Sequence, residues 1–201
     1  MLSHRLSIRA LAIVGLMPLC FAANGAEPAK PQAAAAPARP PLTLTTTAFA
    51  DGTQIPAKYT QAGEQVSPAL AWTNIPEGTQ SFVLHMRDPD VARNKTTEDQ
   101  VHWLVWGIPG SAKGLPEGVP KGAKLADGSQ QISASGDVYR GPGAPATGPL
   151  HHYTFELFAL DTKIDVAAGA DAWDTRTKVY QAMNGHILGK AVYVGLFRRP
   201  Q

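Results

Sequence analysis

Cysteine is nearly missing from this chain of 201 residues: there is one, Cys20, and it falls inside a hydrophobic leader. The first 26 residues carry His4, Arg5 and Arg9 ahead of an apolar run from Ala10 to Phe21, then the small residues Ala22, Ala23, Gly25 and Ala26. That order reads as a secretory signal, with cleavage expected near Gly25 or Ala26. A mature chain without cysteine forms no disulfide and does no thiol chemistry, so packing alone must hold its core. Long hydrophobic runs are missing too. The leader's run is about 12 residues against the ~20 a spanning helix needs, so no membrane span is expected.

An excess of charge of one sign is likewise absent. Without Arg5 and Arg9 the 18 basic residues fall to 16, equal to the 16 acidic ones. No Lys/Arg cluster remains to follow a nucleic-acid backbone or an anionic membrane, so any anion has to be recognised locally. No Gly-x-Ser-x-Gly elbow surrounds a serine, and no His-x-x-x-His or Cys-x-x-Cys pair occurs. Nucleophilic hydrolysis and a metal centre therefore both lack their usual signal, and neither an enzyme nor a cofactor is expected.

From Glu27 to Pro41 there is no aromatic or β-branched residue, only alanine, proline and a few polar groups. Such a stretch cannot bury enough surface to fold and reads as a linker. The domain organisation expected is a signal over 1–26, a linker over 27–41 and one folded domain over 42–201.

Within that domain short β-like runs alternate with glycine, proline and aspartate turns, which predicts a mainly β, sandwich-like single domain with few short helices. Strands are expected at Leu42–Thr47, Ser81–Arg87, Val101–Ile108, Gln131–Ser135, Tyr153–Leu160 and Ala191–Phe197. One helix is expected from about Thr175 to Leu188, capped by Asp174 and stopped by Gly189. Val179, Ala182, Met183, His186 and Ile187 would form its apolar face.

Strand parity sorts the polar candidates. Asp88 continues the Phe82, Leu84, Met86 face. His151 continues the Tyr153, Phe155, Leu157 face, which leaves His152 on the more polar side. His102 falls with Leu104, Trp106 and Ile108 in a strand apolar on both faces, where it needs an acceptor such as Asp88. The segment Tyr139-Arg-Gly-Pro-Gly-Ala-Pro-Ala-Thr-Gly-Pro-Leu-His-His-Tyr153 reads as a rigid anion loop. Glycines admit a ligand to the backbone, prolines stiffen the loop, and histidine supplies a switchable charge.

These residues resemble the phosphatidylethanolamine-binding protein family, in its bacterial, Raf-kinase-inhibitor-like branch. The resemblance runs from Asp51-Gly-Thr-Gln-Ile-Pro56 through Val66-Ser-Pro-Ala-Leu-Ala-Trp72, Ile75-Pro-Glu-Gly-Thr-Gln-Ser-Phe82, Asp88-Pro-Asp90 and Val101-His-Trp103 to the Tyr139–Tyr153 segment. It implies a small anion pocket on Asp88, His102, Gly141, Gly143, Pro145, His151 and Tyr153. Tyr139 is either a wall of that pocket or a packing aromatic.

The function expected is a periplasmic or secreted, non-enzymatic binding or modulating protein for a phosphate-like anion or a phosphorylated headgroup. Backbone N–H groups at Gly141 and Gly143 would donate to it, with affinity falling as pH rises through roughly pH 6 to 7.5. Two alternatives stand beside it: an inhibitor or interaction module docking a protein partner, and a hydrolase using Asp88 with His102 or His151 as acid and base.

Overall fold

The computed structural model describes residues 39–201. The signal reading and most of the linker reading lie outside these residues.

Among the described residues nine strands and one α-helix follow in order: β1 (Thr43–Thr45), β2 (Thr53–Gln54), β3 (Leu70–Thr73), β4 (Ser81–Asp88), β5 (Gln100–Pro109), β6 (Gly114–Leu115), β7 (Gln130–Ile132), β8 (His151–Leu160), α1 (Ala172–Met183) and β9 (Ile187–Phe197). Six strands form one sheet in the order β2-β9-β8-β4-β5-β7, and three form a second in the order β1-β3-β6. The domain is mainly β, as the alternation of strands and turns predicts.

Strands β4, β5 and β8 are covered on both faces, which is why they read as nearly continuous apolar runs. On one face Phe82, Leu84, Met86, Trp103, Phe155 and Leu157 pack with Leu44, Leu70, Trp72 and Leu115 of the small sheet. On the other, Val83, Leu104, Trp106 and Leu160 pack with Val179 and Met183 of α1. β3 was not among the expected strands. Its Leu70 and Trp72 alternate with Ala71 and Thr73 as buried and exposed, but four residues are too few to stand out by periodicity.

The helix lies nearer the N-terminus than expected. Asp171, not Asp174, is its cap, accepting from the Asp174 N–H at 2.8 Å, while Asp174 pairs with Lys178 one turn on. Gly185, with φ of +83°, ends the helix segment before His186. His186 and Ile187 thus leave the expected apolar face: His186 sits outside the helix on Asp161, and Ile187 begins β9 half exposed. Gly189 is inside β9, where a Cβ would come within 3.0 Å of Pro76.

α1 is clamped to the large sheet by ion pairs. From the helix, Arg176 donates to Asp99 at 2.6 Å and also holds Glu98, and Asp99 accepts in turn from Arg87 of β4 at 2.5 Å.

Candidate functional site

The antiparallel order places the C-terminal end of β4 beside the N-terminal ends of β5 and β8. Arg87 stands opposite both Val101 and Thr154, so Asp88, His102 and His151 arrive at one edge of the sheet. They line a cavity of about 150 Å³ together with Gln61, Gln100, Arg140, Gly143, Pro145 and Tyr153. A larger cavity, about 660 Å³, lies against α1 among Arg87, Asp99, Glu156, Arg176 and Lys190. Its carboxylates and cations pair with one another, which suits the clamp just described.

His102 reaches the small cavity by an irregularity. Trp103 pairs with Met86 and Val101 with Arg87, leaving His102 as the extra residue of a β-bulge. Val101 turns to the helix side with Leu104 and Trp106, Trp103 faces the small sheet, and the His102 ring stands edge-on to Tyr153 at 5.0 Å. Strict alternation had grouped His102 with Leu104, Trp106 and Ile108 and kept Val101 with Trp103. The bulge corrects the first half of the strand. Gly107, at φ of +68°, shifts Ile108 to the small-sheet side in the second.

The acceptor for His102 is also not Asp88. Its Nδ1 is 2.9 Å from the Arg140 carbonyl, and the Arg140 N–H donates back to the His102 carbonyl at 3.0 Å. A carbonyl only accepts, so Nδ1 carries the proton. Burial lowers the His102 pKa to about 4, against the smaller opposing effect of that carbonyl. His102 is therefore a neutral imidazole near pH 7.

Asp88 instead holds His151. Its carboxylate is nearly fully buried, with Oδ2 at 2.8 Å from His151 Nδ1 and Oδ1 accepting the Asp90 N–H at 3.1 Å. Asp90, which sequence reasoning left aside, accepts from both the N–H and the ring of His152 at 2.6 and 3.0 Å. Burial raises the Asp90 pKa, but the bonds from His152 outweigh it and the net direction is down. Donor atoms of Asp88, Asp90 and His151 lie within 4.8 Å of one another, close enough to ligate a cation.

The loop does not present its N–H groups as expected. Those of Gly143 and Ala144 donate to the Tyr153 hydroxyl at 3.2 and 3.0 Å, and that of Gly141 donates to Gln65 at 3.2 Å. Burial, with the neighbouring Asp88 charge, pushes the Tyr153 pKa up, so its phenol keeps its proton. The glycines serve close packing. A Cβ at Gly141 would lie 2.7 Å from the Tyr59 carbonyl, and one at Gly143 would lie 2.4 Å from the Gln61 side chain. Tyr139 is a packing aromatic: it is buried, edge-on to Trp103 at 5.4 Å, and bonded to the Tyr59 carbonyl at 2.8 Å.

Replacing Tyr153 by Phe leaves the Gly143 and Ala144 N–H groups without their acceptor. Urea unfolding is expected to show a loss of about 1 to 3 kcal/mol, the cost of an unpaired buried polar group.

Gln61, Gln100 and Arg140 complete the lining and were not singled out beforehand. Gln61 comes from a turn far away in sequence. Arg140 stood inside the loop already noted, and its permanent charge is the signal that could have found it.

Fold and niche together describe a mainly β domain with a small polar site at one edge of its large sheet. The sequence profile described as phosphatidylethanolamine-binding protein matches residues 45–198. The chain belongs to the phosphatidylethanolamine-binding protein family. A relative from Methanothermobacter thermautotrophicus, named UPF0098 protein, is 42% identical over 160 residues, covering 79% of this chain and 99% of its own length. A Mycobacterium tuberculosis relative, LppC, named as a candidate lipoprotein, is 34% identical over 163 residues, covering 81% and 75%. Among solved structures, the phosphatidylethanolamine-binding protein homologue CT736 of Chlamydia trachomatis superposes with a TM-score of 0.66 at 28% identity, covering 79% of this chain and 98% of that one.

Proposed function

We propose that this protein is a non-enzymatic binding or modulating protein whose niche takes a small phosphate-like anion, either free or as a phosphorylated headgroup. The observation that carries the proposal is the 2.8 Å contact between Asp88 and His151 Nδ1 at the wall of a cavity of about 150 Å³. With Nδ1 taken up by Asp88, the His151 ring has Nε2 left for a ligand, and an imidazole in its charged form donates there to an anion. Arg140, whose Nη1 donates to the Ser135 hydroxyl, adds a permanent positive charge beside the niche, and the Gln100 amide adds a neutral donor.

The same niche argues against hydrolysis. Tyr153 keeps its proton, both Asp88 oxygens already hold donors, and no serine or threonine is among the lining residues. The leader-like N-terminus and the lipoprotein name of the mycobacterial relative support a place in the cell envelope, periplasmic or secreted.

Two or three charge-assisted bonds of roughly 1.5 to 3 kcal/mol each, set against ordering costs, give micromolar to millimolar affinity. Calorimetric titration with phosphate, phosphoethanolamine and sulfate is expected to find binding in that range for at least one. His151→Ala is expected to weaken it by about 10-fold or more. No heat from any of the three, or affinity indifferent to His151→Ala, refutes the proposal.

A further inference from the structure

We propose that the niche selects oxyanions that carry a proton, namely phosphate and its monoesters rather than sulfate or phosphodiesters, because His102 presents to it a nitrogen that can only accept. This rests on the anion reading above and adds a hydrogen-bond pattern to it.

The two histidines of the niche look alike in sequence and differ in what they offer. Each has its Nδ1 held by an oxygen: His102 by the Arg140 carbonyl at 2.9 Å, His151 by the Asp88 carboxylate at 2.8 Å. Both oxygens accept, so both Nδ1 atoms carry hydrogen and each ring meets a ligand through Nε2. Behind His151 stands the Asp88 carboxylate, which accepts from its Nδ1. Behind His102 stands only a peptide carbonyl, while the ring is 3% exposed. Burial then decides the outcome and keeps His102 neutral, with a lone pair on Nε2.

The tautomer cannot switch without loss, since moving the proton to Nε2 would set the Nδ1 lone pair against the Arg140 carbonyl. Among the described residues His102 Nε2 has no hydrogen-bond partner, and the ring lines the cavity. The niche thus offers a lone pair at His102. A bound anion satisfies it only if one of its oxygens bears hydrogen. Sulfate and dialkyl phosphates have no such hydrogen near neutral pH. A phosphomonoester, with its second pKa at about 6, bears one on about half of its molecules at pH 6. An oxygen without hydrogen facing the lone pair forfeits a bond and leaves a buried acceptor unpaired, which corresponds to about 10- to 100-fold in affinity.

The test is calorimetry at pH 6 with inorganic phosphate, methyl phosphate, sulfate and dimethyl phosphate on the wild-type protein and on His102→Asn. The substitution keeps a side-chain N–H for the Arg140 carbonyl and removes the acceptor at the Nε2 position. Wild-type protein is expected to bind phosphate and methyl phosphate at least about 10-fold more tightly than sulfate and dimethyl phosphate, and His102→Asn to bring the two groups within about 3-fold.

A second readout needs no variant. The side-chain ¹⁵N shift of His102 Nε2 is expected to be that of an unprotonated nitrogen in the free protein, and to move toward the hydrogen-bonded value with phosphate but not with sulfate. Phosphate and sulfate binding alike in the wild type, or a preference that survives His102→Asn, overturns the selectivity while leaving the anion niche standing. No binding by any of the four anions overturns both.

Discussion

Acidifying this protein from pH 7 to pH 5 is expected to cost several kcal/mol of stability, with most of the loss arising from two buried histidines. Burial lowers the His102 pKa from 6.5 to about 4. His85, buried beneath α1 with its Nδ1 2.7 Å from the Tyr180 hydroxyl, is held well below 6.5, first by burial and then by the charges of Arg176 and Arg87.

In each case the folded pKa lies below the unfolded one, so the unfolded chain binds more protons. Stability from these rings is therefore complete above the unfolded value of about 6.5 and is lost as pH falls toward the folded value. One proton of difference gives a slope of about 1.4 kcal/mol per pH unit, and His102 alone accounts for a total of about 3 kcal/mol by pH 4. Urea unfolding at pH 7, 6 and 5 samples this window above the carboxylate range. His102→Asn is expected to remove about half of the slope. Stability independent of pH between 7 and 5 would contradict the burial argument.

The second large effect concerns Arg176. Its guanidinium is 12% exposed and joins Asp99, itself 11% exposed, while also reaching Glu98. Arg176→Met keeps the aliphatic stem over the sheet but leaves Asp99 with Arg87 as its one remaining cation. Losing the charge-assisted bond to Asp99 costs about 1.5 to 3 kcal/mol, less than a fully orphaned charge would, because Arg87 still holds the carboxylate. Arg176→Met is therefore expected to lower the urea midpoint sharply. Adding Asp99→Leu is expected to deepen the loss, since it also takes the nearer carboxylate from Arg87. An Arg176→Met variant as stable as the parent would mean that water reaches Asp99 freely.

Where the strands are regular, sequence parity located the chemistry. β8 alternates without interruption from His151 to Ala159, so counting from the Tyr153 face placed His151 correctly beside the end of β4. His102 was misassigned for a definite reason. A bulge adds one residue, parity has no way to register it, and every side chain before it changes face. The helix boundaries moved because an aspartate one turn earlier supplied the cap.

The glycine loop exposed a different weakness. Its composition announced closeness of backbone to something, and that something proved to be the Tyr59–Thr60 backbone and the Gln61 side chain. Gln61 approaches from the opposite side of the molecule in sequence terms, as does Gln65, and local pattern carries no information about such meetings. The family motifs, in contrast, were legible as a set, because their order and separations together are specific where each alone is not.

The contact between Gly143 and Gln61 has a consequence for how this scaffold diversifies. Gln61 is a partly exposed side chain on the loop after Ala57–Tyr59, outside both cores, and it closes against Gly143, which has no side chain of its own. Exchanging it for a shorter or longer residue alters the aperture without disturbing the imidazoles or their backing oxygens. Changes of guest size can thus be made at the doorway, leaving the machinery inside untouched.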